Sequence, residues 1–312
     1  MNHLNNFKPL VSIIIPVYNG GNYLKEAIDS ALSQTYSNIE VLVINDGSTD
    51  TGVTEQIALS YGERIRYIYK KNGGVATALN LGISEMRGDY FSWLSHDDLY
   101  LPEKIEAQID YLKNSVNKTI VLYSNYEFID NNGKFIGDSN IQDSVIRGLN
   151  SSEFIYNLIT TASVHGCTLL IPKDVFSIVG TFNVELRTTQ DYDLWYRIAK
   201  KYEFVFINKV LVKGRIHEEQ GTKTLSDSCK KEIDELLIKF VNQLNVKEIK
   251  KFKSGSNISK FYLDISINFA QRGFDTAAKF TKKKFYKSMF SIDTLLNPKS
   301  LKIYIKNIKN NL

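Results

Sequence analysis

Two adjacent carboxylates, Asp97 and Asp98, close an aromatic and apolar run in FSWLSHDDLYLPEKI, residues 91–105. Adjacent acids at the end of a buried strand can hold a hard divalent cation, Mg²⁺ or Mn²⁺, which takes oxygen ligands and bridges to the phosphates of a substrate. The plainer reading is that they cap the helix expected over PEKIEAQIDYL, with Pro102 near its first turn; the intervening Leu99, Tyr100 and Leu101 weigh against it. A second pair, Asp191 and Asp193, lies in QDYDLWYRIAKK, residues 190–201. On a helix, Asp191 shares a face with Leu194, Trp195 and Ile198 and points inward, whereas Asp193 shares one with Arg197, Lys200 and Lys201 and reads as part of a solvated stripe. An inward carboxylate suits a general base, with a helix N-cap as the bland alternative.

The elements that must position these groups alternate between strand and helix. VSIIIPVY (11–18) is a β-branched apolar run ending at Asn19-Gly20-Gly21, and NYLKEAIDSALSQ (22–34) has Leu24, Ile28, Ala31 and Leu32 at helical spacing. IEVLVIND (39–46) is a second strand, broken by Gly47-Ser48 before a helix through TEQIALSYG; RIRYIYK (64–70) is a third. VATALNLGISEM (75–86) is helical and DYFSWLSHDD (89–98) is the fourth strand. Repeated βαβ units with fully apolar strands predict an α/β fold, a mostly parallel sheet covered by helices on both faces, and such sheets bind ligands beyond the carboxyl ends of their strands. Polar tips collect there: Tyr18-Asn19, Asn45-Asp46-Gly47-Ser48, Lys70-Lys71-Asn72 and Ser95-His96-Asp97-Asp98. A single such tip is usually just an Asx turn. There is no GxGxxG after the first strand and no GxxxxGK[ST], so neither a dinucleotide fingerprint nor a P-loop fits, and a bound diphosphate needs another counter-charge.

Charge divides the chain in two. Residues 226–312 carry 18 Lys+Arg against 8 Asp+Glu, which leaves a net charge near −5 on residues 1–225. The expected organisation is a catalytic domain over 1–225 and a basic, mainly helical region over 226–312. In that region EIDELLIKFVNQL (232–244) is amphipathic and FAQRGFDTAAKFTKKKFYKSMF mixes aromatics with lysines. Such a surface suits an anionic membrane face, a homodimer contact or a merely solvated cover; lysines without a recognised motif do not indicate nucleic acid. Cys167 and Cys229 form no CxxC or Cys/His sequence cluster, so no disulfide framework or structural zinc is expected. No run of about 18 uncharged apolar residues occurs, and MNHLNNFKPL lacks the plan of a secretion signal, so the expected location is the cytoplasm, with peripheral contact on the inner face of the membrane.

VSIIIPVYNGGNYLKEAIDSALSQTYSNIEVLVINDGSTD, the later NGGVATALNLGI, the acids of SHDD, and QDYDLW together resemble the family-2 inverting glycosyltransferases of the GT-A fold, in order over roughly residues 10–222. The resemblance implies a GT-A, Rossmann-like domain with a C-terminal helical appendage. Its activity would move a sugar from a nucleotide donor, most often uridine-based, to a glycan or lipid-linked acceptor in surface or capsular polysaccharide assembly. Tyr18 would stack on the base and Asp46 would hydrogen-bond it, with Pro16, Asn19, Lys71, Asn72 and Gly74 completing the nucleotide site. Asp97 and Asp98 would hold the diphosphate through Mn²⁺ or Mg²⁺, Asp97 also contacting the nucleotide. Many relatives read Asp-x-Asp-Asp where this chain has Ser95-His96-Asp97-Asp98; a serine at 95 can still hydrogen-bond the ribose. Asp191 matches the base of the family's Glu-Asp motif, and Gln190 in place of Glu affects acceptor positioning. A lone histidine is most often structural, but the Arg-x-His segment of KGRIHEEQGTKT (213–224) implies that His217 is a third metal ligand or a diphosphate contact, with Gly221-Thr222 letting the segment move as a lid. HGCTLLIPKDVFSIVG (165–180) resembles the acceptor-side segment, where His165 and Cys167 read as packing. Two rivals remain: a non-catalytic member that binds nucleotide-sugar or glycan and scaffolds a membrane assembly, against which intact Asp97, Asp98 and Asp191 weigh, and a nucleotidyltransferase, whose Gly-rich first loop with a basic residue is absent after Pro16.

Overall fold

The computed structural model describes residues 7–139, 151–161, 164–220, 226–252 and 257–289 of the chain. The proposed lid residues Gly221 and Thr222, and the last 23 residues of the basic tail, lie outside the described residues. The chain divides into two compact units, one of residues 1–151 and 163–224, the other of residues 152–162 and 225–312.

In the first unit the four expected strands form one sheet. β1 (Val11–Val17) pairs in parallel with β2 (Ile39–Asn45) and β4 (Tyr90–Trp93), and β2 with β3 (Arg66–Tyr69). The short β8 (Ile171–Pro172) adds antiparallel beside β4, giving the order β3-β2-β1-β4-β8. β1 is buried along its whole length because helices cover both faces. One of them, α1 (Leu24–Leu32), buries Leu24, Ala27, Ile28 and Ala31, the i, i+3, i+4, i+7 stripe of an amphipathic helix. α2 (Val53–Leu59) follows β2, and α3 (Val75–Glu85) lies so close to β1 that a Cβ on Gly82 would stand 2.4 Å from Ile14.

A second sheet, which periodicity alone did not outline, has the order β5-β9-β6-β7. Its central pair, β6 (Val121–Ile129) and β9 (Phe204–Arg215), is parallel, while β5 (Leu99–Tyr100) and β7 (Phe135–Asp138) lie antiparallel on its two sides. The register Leu99 opposite Lys213 brings the turn before β5, which carries Asp97 and Asp98, to the end of β9. α4 (Lys104–Asn114) begins after Glu103 with no side-chain cap, so neither acid serves as its N-cap. α6 (Asp174–Val179) and α7 (Gln190–Ala199) complete this unit; Phe182 bridges Trp195 of α7 and Trp93 at the end of β4, with centroid distances of 5.9 and 6.1 Å.

The second unit is helical: α8 (Ser226–Gln243), α9 (Val246–Ile249), α10 (Ile258–Gln271) and α11 (Asp275–Met289), joined by residues of α5 (Ser151–Thr160). The helical region expected over 226–312 therefore gains a segment from the middle of the chain. Tyr156 packs on Phe252 and Phe261 at 5.6 and 6.2 Å, and Arg272 donates to the carbonyls of Ile159 and Thr160. Asp234 accepts from the N–H groups of Thr276 and Ala277, satisfying two orphan donors at the start of α11. Among the described residues no helix is long and apolar enough to cross a membrane.

Candidate active site

The polar tips gather at the carboxyl ends of the parallel strands. Asp46, at the end of β2, is buried, and its carboxylate accepts from the N–H groups of Gly73 (3.0 Å) and Gly74 (2.7 Å) and pairs with Lys70. Asn72 donates to the Asp46 carbonyl at 2.8 Å. The two loops approach so closely that a Cβ on Gly47, whose φ of 71° is left-handed, would lie 2.5 Å from the Asn72 nitrogen. Lys70, named in the sequence only as part of a polar tip while Lys71 was assigned to the nucleotide site, thus makes the ion pair, and Lys71 is exposed and lends its carbonyl to Lys70. At the end of β1, Pro16 is buried; Tyr18 is 45% exposed, with its ring open to a ligand, and Asn19 exchanges hydrogen bonds with Ser48 and Thr49.

The adjacent acids have different environments. Asp97 Oδ2 lies 2.9 Å from His217 Nε2. Burial raises the Asp97 carboxyl, but the His217 hydrogen bond and the neighbouring His96 charge outweigh it and leave the group below its ordinary range. Asp98 accepts from the Arg215 N–H at 2.9 Å and meets Cys167 Sγ at 3.2 Å and His165 Nε2 at 3.6 Å; burial and the charge of Asp97 push it well above the usual carboxylate range. His165 and Cys167, read from sequence as packing, are therefore part of the acidic turn's surroundings. His165 gave no signal beyond a lone histidine, because only the fold brings it to residue 98. Ser95 donates its N–H to Cys167 Sγ at 3.2 Å.

Arg215 locks the turn from the second sheet. Its fully buried guanidinium donates from Nε to the Asp97 carbonyl (2.9 Å), from Nη1 to the carbonyls of Asp130 and Asn131, and from Nη2 to Glu26 (2.7 Å), over the Tyr23 ring at 4.3 Å. Beneath the turn, fully buried Lys104 donates to Ser92 Oγ and Gln108 Oε1 at 2.9 and 3.0 Å; burial lowers its amine to about 7.

The Asp97–His217 hydrogen bond also has a length compatible with two ligands of one divalent cation that takes the place of its proton. With metal–oxygen distances of about 2.1 Å, neighbouring ligands of one octahedral ion stand about 3 Å apart, close to the 2.9 Å between Asp97 Oδ2 and His217 Nε2. Asp98, the other expected metal ligand, makes its contacts with Arg215, Cys167 and His165.

At the start of α7, burial raises the Asp191 carboxyl to about 6 against a hydrogen bond from the Tyr192 N–H. Gln190 is buried, and its Oε1 has no hydrogen-bond partner among the described residues. The expectation that Asp193 lies on a solvated stripe is overturned: it is 2% exposed and accepts from Arg197 Nε at 2.8 Å. Arg197 also donates to the carbonyls of Val179 and Thr181, so the 179–181 turn covers the flank that periodicity assigned to water.

Comparison with known proteins agrees with this architecture. Residues 12–179 match the family model described as "Glycosyl transferase family 2". An "Uncharacterized glycosyltransferase" of Rickettsia felis is 48% identical over 250 residues, covering 80% of this chain but 41% of that protein, so the chain spans less than half of that relative's length. A "Chondroitin synthase" of Pasteurella multocida is 32% identical over 227 residues, 72% of this chain and 22% of its own. Among solved structures, S. aureus TarS 1–349 in complex with UDP-GlcNAc superposes with a TM-score of 0.61 at 16% identity, covering 89% of this chain and 91% of that one.

Proposed function

From the premise that this chain belongs to glycosyltransferase family 2 and has the GT-A fold, we propose that it is a metal-dependent, inverting enzyme that moves a hexosyl or N-acetylhexosaminyl group from a uridine-diphosphate donor to a hydroxyl of a glycan or lipid-linked acceptor during surface polysaccharide assembly. The observation that carries this reading is the Asp97–His217 pair, clamped by Arg215 at the carboxyl end of the parallel sheet. The UDP-GlcNAc bound by TarS and the polysaccharide named for the Pasteurella relative support the donor and acceptor classes.

In this reading Tyr18 stacks on the base beside the Asp46 loop, where Asn19, Asn72 and the Gly73-Gly74 amides shape the wall. Asp97 and His217 hold Mn²⁺ or Mg²⁺, which supplies counter-charge to the diphosphate when bound. Ser95 lies next to the ribose. Asp191 takes the proton of the acceptor hydroxyl as that oxygen attacks the anomeric carbon from the face opposite the departing diphosphate. Gln190 Oε1 accepts from a sugar hydroxyl, which would account for a buried acceptor without a partner among the described residues. The lysines of α11 form a peripheral contact with anionic lipid.

Calorimetric titration of UDP in Mn²⁺ tests the site. Asp97→Asn and His217→Ala are each expected to lose metal-dependent UDP binding, with thermal unfolding little changed. Full UDP affinity in both variants would reject the assignment, and hydrolysis of a donor panel would then identify any activity that remains.

A further inference from the structure

Next to that pair lies a cluster of softer chemistry. Asp98 Oδ2, His165 Nε2 and Cys167 Sγ all lie within 4.8 Å of one another, with Oδ2 3.2 Å from the sulfur and 3.6 Å from the imidazole nitrogen. Zinc bonds of about 2.0–2.3 Å to oxygen, nitrogen and sulfur place the ligands of a tetrahedral ion about 3.3–3.6 Å apart. The geometry points to a site for a thiophilic divalent cation, Zn²⁺ or its surrogate Co²⁺, on Asp98, His165 and Cys167, distinct from the Asp97–His217 pair and with a fourth position for water.

The surroundings are built for such a site. Arg215 N–H occupies Asp98 Oδ1 and leaves Oδ2 facing the cluster, and the Ser95 N–H points at the sulfur, where it would help a metal-bound thiolate against the burial and Asp98 charge that otherwise keep the thiol protonated. The backbone carrying Cys167 is fixed on both sides: a Cβ on Gly166 would meet Trp93 at 2.4 Å, and Gln108 Nε2 donates to the Thr168 carbonyl. Tyr126 stacks against His165 at 4.7 Å, and the histidine side chain is 26% exposed, which gives the cation a way in while Asp98 and Cys167 stay buried. Ligation through Nε2 puts the ring proton on Nδ1, so the ring gives up its long 3.3 Å hydrogen bond from the Cys167 N–H. The thiol proton and any proton held by Asp98 pass to buffer, and the resulting thiolate and carboxylate together balance the two charges of the cation. Sulfur with imidazole selects Zn²⁺ or Co²⁺, whereas Mn²⁺ and Mg²⁺ favour oxygen ligands.

Cobalt reports the sulfur directly. Titrating the metal-free full chain with Co²⁺ is expected to raise a thiolate-to-cobalt charge-transfer band in the near ultraviolet that saturates at one metal per chain and disappears when Zn²⁺ displaces the cobalt. Cys167→Ser removes the band, and His165→Gln weakens binding by at least the roughly 10–100-fold that loss of an outer-shell partner costs. Cys229→Ser and His217→Ala keep it. Absence of the band at saturating cobalt, its survival in Cys167→Ser, or its loss in His217→Ala overturns the site; Asp98 is then satisfied by hydrogen-bond donors alone. The His165 variant carries the test if Cys167→Ser does not fold. Failure of Mn²⁺ to support UDP binding leaves the cobalt result unaffected, so the two readings are tested apart.

Discussion

Asp191 makes pH the sharpest probe of a single residue. As the proposed base, its carboxyl, raised to about 6 by burial, must be ionised, so kcat/KM is expected to climb as pH rises through about 6 and to level off above it. Asp191→Asn keeps the shape, removes that limb and lowers kcat by about 10²–10⁴, with UDP affinity nearly unchanged. The same shift sets a stability sign: the folded carboxyl binds its proton more tightly than the unfolded one, so this group's contribution falls as pH rises from about 4 to about 6. Asp193→Asn is expected to act on stability instead, costing about 1–3 kcal/mol in denaturant unfolding because Arg197 loses its buried carboxylate. Equal losses of turnover from the two variants, with equal stability, would remove the distinction. Helical period predicted an inward Asp191 and a solvated Asp193, and the structure reverses their exposure, leaving Asp191 half-buried and Asp193 buried. The period misled at Asp193 because whether a face meets water depends on what packs against it, here the 179–181 turn, which lies outside the helix itself.

At the scale of elements, the parallel sheet was readable because each of its strands is a compact apolar run followed by its own polar tip. The second sheet was not: β5 has two residues, and β6 finds its partner β9 across more than seventy residues. The different surroundings of Asp97 and Asp98 were hidden for the same reason, since they follow from the register of β5 on β9. Where loops meet tightly, the close approach itself can be tested. Gly47→Ala would bring a Cβ to 2.5 Å from the Asn72 nitrogen at a left-handed φ, so it is expected to cost more than about 1 kcal/mol and to weaken UDP binding by displacing the Asp46 loop. Wild-type UDP affinity in that variant would show that the loop pair does not form the base site.

For the whole molecule, the exposed side of α11 carries Lys279, Lys282, Lys283 and Lys287 around Tyr286, which is 42% exposed. Full-length protein is expected to cosediment with anionic but not neutral vesicles, to release as salt rises, and to lose most binding in Lys282→Glu/Lys283→Glu while UDP affinity stays intact. Binding indifferent to lipid charge would leave a dimer contact or a solvated face, which ultracentrifugation separates. Truncation after Thr224 is a poor substitute, because it would strip residues 152–162 of their helical partners, the Tyr156 contacts with Phe252 and Phe261 among them. A different consequence comes from Arg215, which reaches back 118 residues to the Asp97 carbonyl and 189 to Glu26. During synthesis the parallel sheet emerges from the ribosome long before the arginine that fixes its acidic turn, and His217 follows two residues behind. On the proposed reading, a nascent chain thus completes most of its scaffold before it holds the residues that would capture a donor, and the site would form only as the last strand of its unit is threaded into place.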